Sequence, residues 1–102
     1  MKTLLFDGAL SVIFGKRHVD IDSINELRKE IEIFSRKINL DDRERFIIEH
    51  RLKKRITLES IGKTLGGITR ERVRQLEFRA GRKIKKVLIK NGQTHVLSFK
   101  II

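Results

Sequence analysis

Three arginines, a glutamate and a glutamine lie within six residues in the segment ITRERVRQLE (residues 68–77). Arginine can bond in bidentate fashion to N7 and O6 of guanine, glutamine can bond to adenine, and a carboxylate accepts from N4 of cytosine. The segment therefore combines the side chains that read base edges in the DNA major groove. These residues are Arg70, Glu71, Arg72, Arg74 and Gln75.

Helical spacing puts most of these side chains opposite an apolar stripe. Val73, Leu76 and Ala80 step by three and four residues, which predicts that they face a core. The opposite face then carries Arg70, Glu71, Arg74, Gln75 and Arg79. Phe78 lies beside this face; we expect it in the core, and a thymine-methyl contact or a dimer contact are the alternatives.

The preceding residues predict that this helix is the second of a helix-turn-helix. The pattern TLESIGKTL predicts a short helix with Thr57 as its N-cap, and Gly66-Gly67 can adopt the positive φ of a turn. Thr69 is an N-cap candidate for the long helix, which runs to about Leu88, and its first amides could bind a phosphate. The second helix of such a motif lies in the major groove.

Two more helices are predicted upstream, over residues 24–38 and 41–54. The first has apolar residues on one face, and the second directs Arg43, Arg45 and Arg51 toward solvent. Both have the spacing of a capping box at their starts: Ser23 with Glu26, and Asp41 with Glu44.

The basic residues are concentrated in one part of this 102-residue chain. The net charge is +11, and residues 43–90 hold 16 Lys and Arg against 5 Asp and Glu. Such a block attracts a polyanion: nucleic acid is the first expectation, and an anionic membrane surface or an acidic protein is the alternative. The residues expected to contact phosphates or to act by long-range attraction are Arg43, Arg45, Lys53, Lys54, Arg55, Lys63, Arg82 and Lys83.

The two ends have strand-like patterns. Asp7-Gly8 predicts the two-residue turn of a β-hairpin that pairs Leu5 with Leu10, and a helix over the same residues is the alternative. After a turn at Asn91-Gly92, the segment THVLSFKII predicts a strand that pairs with the hairpin or with a second copy. We expect a mainly α protein with an N-terminal extension (1–22), a helical domain (23–90) and a strand-like tail (91–102).

Several classes of function are not expected. The chain has no cysteine, and its three histidines lack companion ligands, so neither a metal site nor a cofactor is predicted. No nucleophile–base pair or phosphate-binding glycine loop indicates an enzyme. No run approaches the roughly 18 apolar residues of a membrane span, and no signal peptide is recognised, so a cytoplasmic location is expected.

The segment TLESIGKTLGGITRERVRQLEFRAGRKIKK, with LDDRERFIIEHRL upstream, resembles region 4 of bacterial sigma factors of the sigma-70 family. The resemblance covers about residues 40–86. It implies an all-helical domain whose last helix binds the minus-35 element of promoter DNA and whose earlier helices bind the flap of the RNA polymerase β subunit. By position, Arg70, Glu71, Arg74 and Gln75 would face base edges, whereas Thr69, Arg72 and Arg79 would serve mainly the DNA backbone.

The resemblance also sets the expected context. A chain of this length has no room for the domain that opens promoters at minus 10. If it is the whole protein, we expect one part of a split sigma factor, with a second protein supplying promoter melting, in a bacterial or phage-infected cell. A phage or host regulator that uses region 4, or an excised domain, is the alternative. The alternatives are a polymerase-binding adaptor or anti-sigma-like regulator, and a homodimeric helix-turn-helix repressor.

Overall fold

The computed structural model describes residues 2–90, and the predictions for Asn91-Gly92 and the C-terminal strand lie outside them. The predicted mainly helical fold with a short N-terminal strand pair is confirmed. The elements, in chain order, are β1 (Thr3–Leu5), α1 (Gly8–Phe14), β2 (His18–Asp20), α2 (Ile24–Ser35), α3 (Asp42–Ile48), a π-helix (Glu49–Lys53), α4 (Leu58–Thr64) and α5 (Arg70–Lys90).

The N-terminal strands are antiparallel, but the predicted hairpin turn is wrong. Leu5 pairs with His18 rather than with Leu10, because α1 lies between the two strands. Gly8 has a φ of 53° and begins that helix. A helix is favoured over a hairpin here because Ala9, Leu10 and Ile13 then share one buried face, whereas a strand would have placed neighbouring side chains on opposite faces.

Helices α2 and α3 begin differently, although their sequences predict the same cap. The Asp41 box is confirmed: the Glu44 amide donates to Asp41 Oδ1 at 2.8 Å, and the Asp41 amide donates to Glu44 Oε1 at 2.9 Å. The Ser23 box is wrong, since Ser23 has helical backbone angles and its side chain makes no capping hydrogen bond. A capping side chain needs the extended backbone that Asp41 has.

Two apolar clusters form the core, and α5 contributes to both. The smaller cluster joins α3, α4 and the N-terminal half of α5 through Ile47, Ile61, Val73 and Leu76. The larger cluster joins α1, β2, α2, the π-helix and the C-terminal half of α5, where Ala80, Ile84 and Leu88 are buried. The boundary predicted between residues 22 and 23 stays a prediction, although residues on both sides of it lie in the larger cluster.

A buried carboxylate links α5 to the rest of the molecule. Glu77 is 2% exposed; its Oε2 accepts from the Ala9 amide at 3.0 Å, and its Oε1 accepts from Arg51 Nε at 3.1 Å. The prediction that Arg51 points to solvent is therefore wrong, because it neutralises this buried charge. Next to it, α1 crosses α5 closely: a Cβ added at Gly81 would lie 3.2 Å from the Ala9 carbonyl oxygen.

Candidate nucleic-acid interface

The glycine turn between α4 and α5 has the predicted geometry. Thr57 Oγ1 accepts from the Ser60 amide at 3.2 Å and caps α4. Gly66 and Gly67 then have φ values of 93° and 85°, which favour glycine because L side chains rarely adopt them. The positive φ values of the turn therefore fall on glycines, and no residue with a side chain is strained there.

Gly62 fixes how closely this turn approaches α4. Its carbonyl oxygen accepts from the amides of Gly67 at 3.0 Å and of Ile68 at 3.1 Å. A Cβ added at Gly62 would lie only 2.3 Å from the Ile68 carbonyl oxygen. The angle between the two helices thus depends on the absence of a side chain at this position.

The predicted cap and the predicted inner face of α5 are confirmed. Thr69 Oγ1 accepts from the Arg72 amide at 3.1 Å. Val73, Leu76 and Ala80 are each at most 1% exposed. The first two turns therefore present the polar residues outward, and the exposed ones are Arg70, Glu71, Arg72 and Gln75.

Arg74 is held in one orientation by two neighbours on the same helix. Its Nε and Nη2 both donate to the Glu71 carboxylate, the former at 2.9 Å. Its Cζ lies 4.9 Å from the centre of the Phe78 ring, a cation–π contact. The hydrogen bonds between Arg74 and Glu71 raise the pKa of Arg74 and lower the pKa of Glu71, so both groups are charged at neutral pH.

Arg79 and Lys83 are bonded to acidic groups of α3 and its cap. Arg79 donates to Glu44 Oε2 at 2.9 Å and to Asp41 Oδ2 at 2.7 Å, and Lys83 donates to Glu44 Oε1 at 2.7 Å. Their predicted DNA contacts stay predictions. In this structure both side chains attach the middle of α5 to the start of α3.

The two arginines near the start of α3, Arg43 and Arg45, differ in their exposure and in their hydrogen bonds. Arg43 is exposed. Arg45 donates to the carbonyl oxygens of Ile38 at 2.6 Å and Ser35 at 3.3 Å, so it stabilises the turn that follows α2. A sequence pattern shows where basic residues lie but not which of them satisfy carbonyl groups of a neighbouring helix end.

Two of the open grooves formed by residues 2–90 lie near exposed basic side chains. One has a volume of about 400 Å³ and lies where α4 meets the N-terminus of α5, with Lys63, Thr69 and Arg70 in its lining. The other has a volume of about 310 Å³ and lies between α2 and the π-helix, continuing toward Arg55. Ile33, which is 40% exposed, and Leu52 give the second groove an apolar floor, and its basic lining residues are Arg28, Lys29, Arg36, Lys53 and Arg55.

Within residues 2–90 the structure shows no group of three or more histidine or carboxylate side chains placed to hold a metal ion. In the same part of the chain no helix combines the length and the apolarity needed to cross a membrane.

A short capped helix, a double-glycine turn and a longer helix with arginine, glutamate and glutamine side chains outward form a helix-turn-helix, an arrangement typical of DNA-binding domains. Residues 39–86 match the model of the family described as Sigma-70, region 4. The match confirms the resemblance seen in the sequence over this segment and supports a region 4-like, DNA-binding role in transcription regulation; this family is regulatory rather than enzymatic. The comparisons with curated proteins and with solved structures found no match.

Proposed function

We propose that the protein is a transcription factor whose α5 reads minus-35-like promoter DNA from the major groove. One observation carries the proposal: Arg70, Glu71, Arg74 and Gln75 lie together on the outer side of a helix whose inner side is fully buried. The family match over this segment supports it, since DNA binding is the role of this domain type.

The proposed contacts divide into base and phosphate contacts. Arg74 and Gln75, with Arg70 and Glu71, face base edges, because such side chains distinguish base pairs by paired hydrogen bonds. Thr69, Arg72 and Arg43 serve the phosphates. Arg79 and Lys83 add positive potential near the backbone while they remain bonded to Glu44.

Selection of duplexes from a random library tests this proposal. We expect a preferred site, with affinity that falls steeply as salt rises because each phosphate contact releases a counterion. Arg74→Ala should lose roughly 1–3 kcal/mol of discrimination at one base pair. Arg43→Ala, the matched arginine control, should weaken all duplexes alike. Equal losses on every sequence from both variants would rule out groove reading.

We further propose that the groove between α2 and the π-helix binds the flap of the RNA polymerase β subunit. It lies on the helices where the resemblance implies that contact, and its apolar floor with a basic rim suits a partner helix carrying apolar and acidic side chains. This surface also serves the adaptor hypothesis, in which polymerase binding is primary and DNA contact is secondary.

Capture of purified bacterial RNA polymerase separates the two surfaces. Ile33→Asp should abolish polymerase capture and leave DNA binding intact. The Arg70→Ala, Arg74→Ala double variant should abolish DNA binding and leave polymerase capture intact. Capture that is unaffected by Ile33→Asp would exclude the groove as the binding surface. A homodimer and a second protein for promoter melting stay predictions; sedimentation of the free protein tests the first.

A further inference from the structure

Phe78 is an apolar side chain outside both core clusters formed by residues 2–90. The expectation that it lies in the core is therefore wrong. It follows Arg74 by four residues and Gln75 by three, so it lies on the outer side of α5 beside the base-reading residues. The ring is half-buried and has neighbours on the same helix.

Arg74 is one of those neighbours, and the two side chains form a defined unit. The guanidinium plane is supported by the Phe78 ring, and one of its edges, Nε with Nη2, is bonded to Glu71. The Nη1 end of the guanidinium is not used by these bonds. Nη1 together with the second Nη2 hydrogen makes the kind of fork that bonds to O6 and N7 of guanine.

We propose that Phe78 is a specificity-determining residue of the DNA interface, which supports Arg74 against a guanine and contacts the methyl group of an adjacent thymine. This inference rests on the proposed function of α5. Apolar side chains discriminate thymine through its C5-methyl group. Holding Arg74 in its binding orientation beforehand reduces the ordering cost of the guanine contact.

Replacing thymines one at a time with uracil in the selected duplex tests the proposal, since uracil lacks only the methyl group. For the unmodified chain we expect one thymine position at which uracil weakens binding about three- to fivefold, which is the effect of burying one methyl carbon. This position should lie next to the guanine that Arg74→Ala identifies. Phe78→Ala should show no loss at that position and should discriminate less well at the neighbouring guanine.

Phe78→Leu is the matched control, because it keeps an apolar surface without an aromatic face. It should retain sensitivity to uracil while losing part of the guanine discrimination, and thermal unfolding should show that neither variant loses its fold. Unchanged uracil sensitivity in Phe78→Ala, or no sensitive thymine in the unmodified chain, would overturn the inference and leave the Arg74-dependent preference standing. Binding without any sequence preference would overturn the proposed function as well.

Discussion

Glu44 shows how one charged residue can serve the fold inside a basic domain. Its side chain is 0% exposed and accepts hydrogen bonds from the Asp41 amide, Arg79 and Lys83. Burial alone would raise the pKa of Glu44, but the hydrogen bonds from Lys83, the Asp41 amide and Arg79 outweigh it and hold the pKa below its usual range. The carboxylate therefore stays charged in the folded protein.

This arrangement predicts an acid-sensitive contribution to stability. Because the pKa of Glu44 is lower in the folded than in the unfolded state, its stabilisation is present above the unfolded pKa and is lost as pH falls through the folded pKa. Glu44→Gln should lower the free energy of unfolding at neutral pH by roughly 1–3 kcal/mol and make it less dependent on acid. Urea unfolding at neutral pH and at about pH 3 measures both effects.

Glu59→Gln is the control for this prediction, because Glu59 is exposed and its contact with Lys63 is 4.0 Å long. It should change stability little at either pH. An acid response of Glu44→Gln equal to that of the unmodified chain would contradict the assignment.

Only part of the Glu44 cluster could be predicted from the sequence. The capping box depends on a spacing of three residues, so Asp41 and Glu44 reveal it directly. The bonds to Arg79 and Lys83 cross 35 and 39 residues of chain and depend on how α5 packs against α3. The sequence-based expectation that Phe78 lies in the core fails for a similar reason, since apolar character alone does not show which side of a helix is covered.

At the scale of elements, the interface depends on the junction of α4 and α5. The Gly62 carbonyl bonds to two turn amides while the turn backbone occupies the space of a side chain. The orientation of α5 relative to the rest of the motif is therefore set by backbone contact, which tolerates little change.

Gly62→Ala should disturb this junction, since its new methyl group would overlap the Ile68 carbonyl oxygen. We expect a loss of roughly 1–3 kcal/mol in the free energy of unfolding, the usual cost of an extra methyl group in packed structure. At temperatures where the variant remains folded, the loss in the free energy of DNA binding should exceed the loss in the free energy of unfolding. Lys63→Ala, at the exposed neighbouring position, should be nearly neutral in stability, and a Gly62→Ala variant as stable as that control would contradict the close approach.

Elements with local signals were predicted well, whereas those decided by packing were not. Thr57, Thr69 and the glycine pair carry their own hydrogen-bond and φ requirements, so α4, the turn and α5 follow from the sequence. Asp7-Gly8 is compatible with both a hairpin turn and a helix start, and burial against α5 decided between them. The early end of α2 at Ser35 has no comparable sequence signal.

At the scale of the whole molecule, α5 is both the helix proposed to read DNA and the helix on which both core clusters are built. Its N-terminal half packs into the smaller cluster and its C-terminal half into the larger one. Glu77, at the junction of the halves, binds the first turn of α1 and Arg51 of the π-helix. The N-terminal residues therefore support α5 at the junction of its two halves.

Glu77→Gln should weaken this support, because the amide cannot neutralise Arg51. The free energy of unfolding should fall by roughly 1–3 kcal/mol, and hydrogen exchange at the Ala9 amide should accelerate more than elsewhere in the protein. Glu71→Gln, at an exposed site on the same helix, is the control and should leave Ala9 exchange unchanged. Unaltered Ala9 exchange in Glu77→Gln would show that α1 is held independently of Glu77.

The central claim is that the outer side of α5 faces duplex DNA, and the absence of cysteine from the chain allows it to be tested by a single introduced label. An iron chelate that generates hydroxyl radicals can be attached through Arg82→Cys, two turns beyond Gln75 on α5, or through Asn25→Cys, an exposed position on α2. With the selected duplex, we expect cleavage confined to a few nucleotides at the edge of the bound site for the α5 label, and none for the α2 label. Cleavage from the α2 label alone, or from neither label while the duplex remains bound, would contradict it.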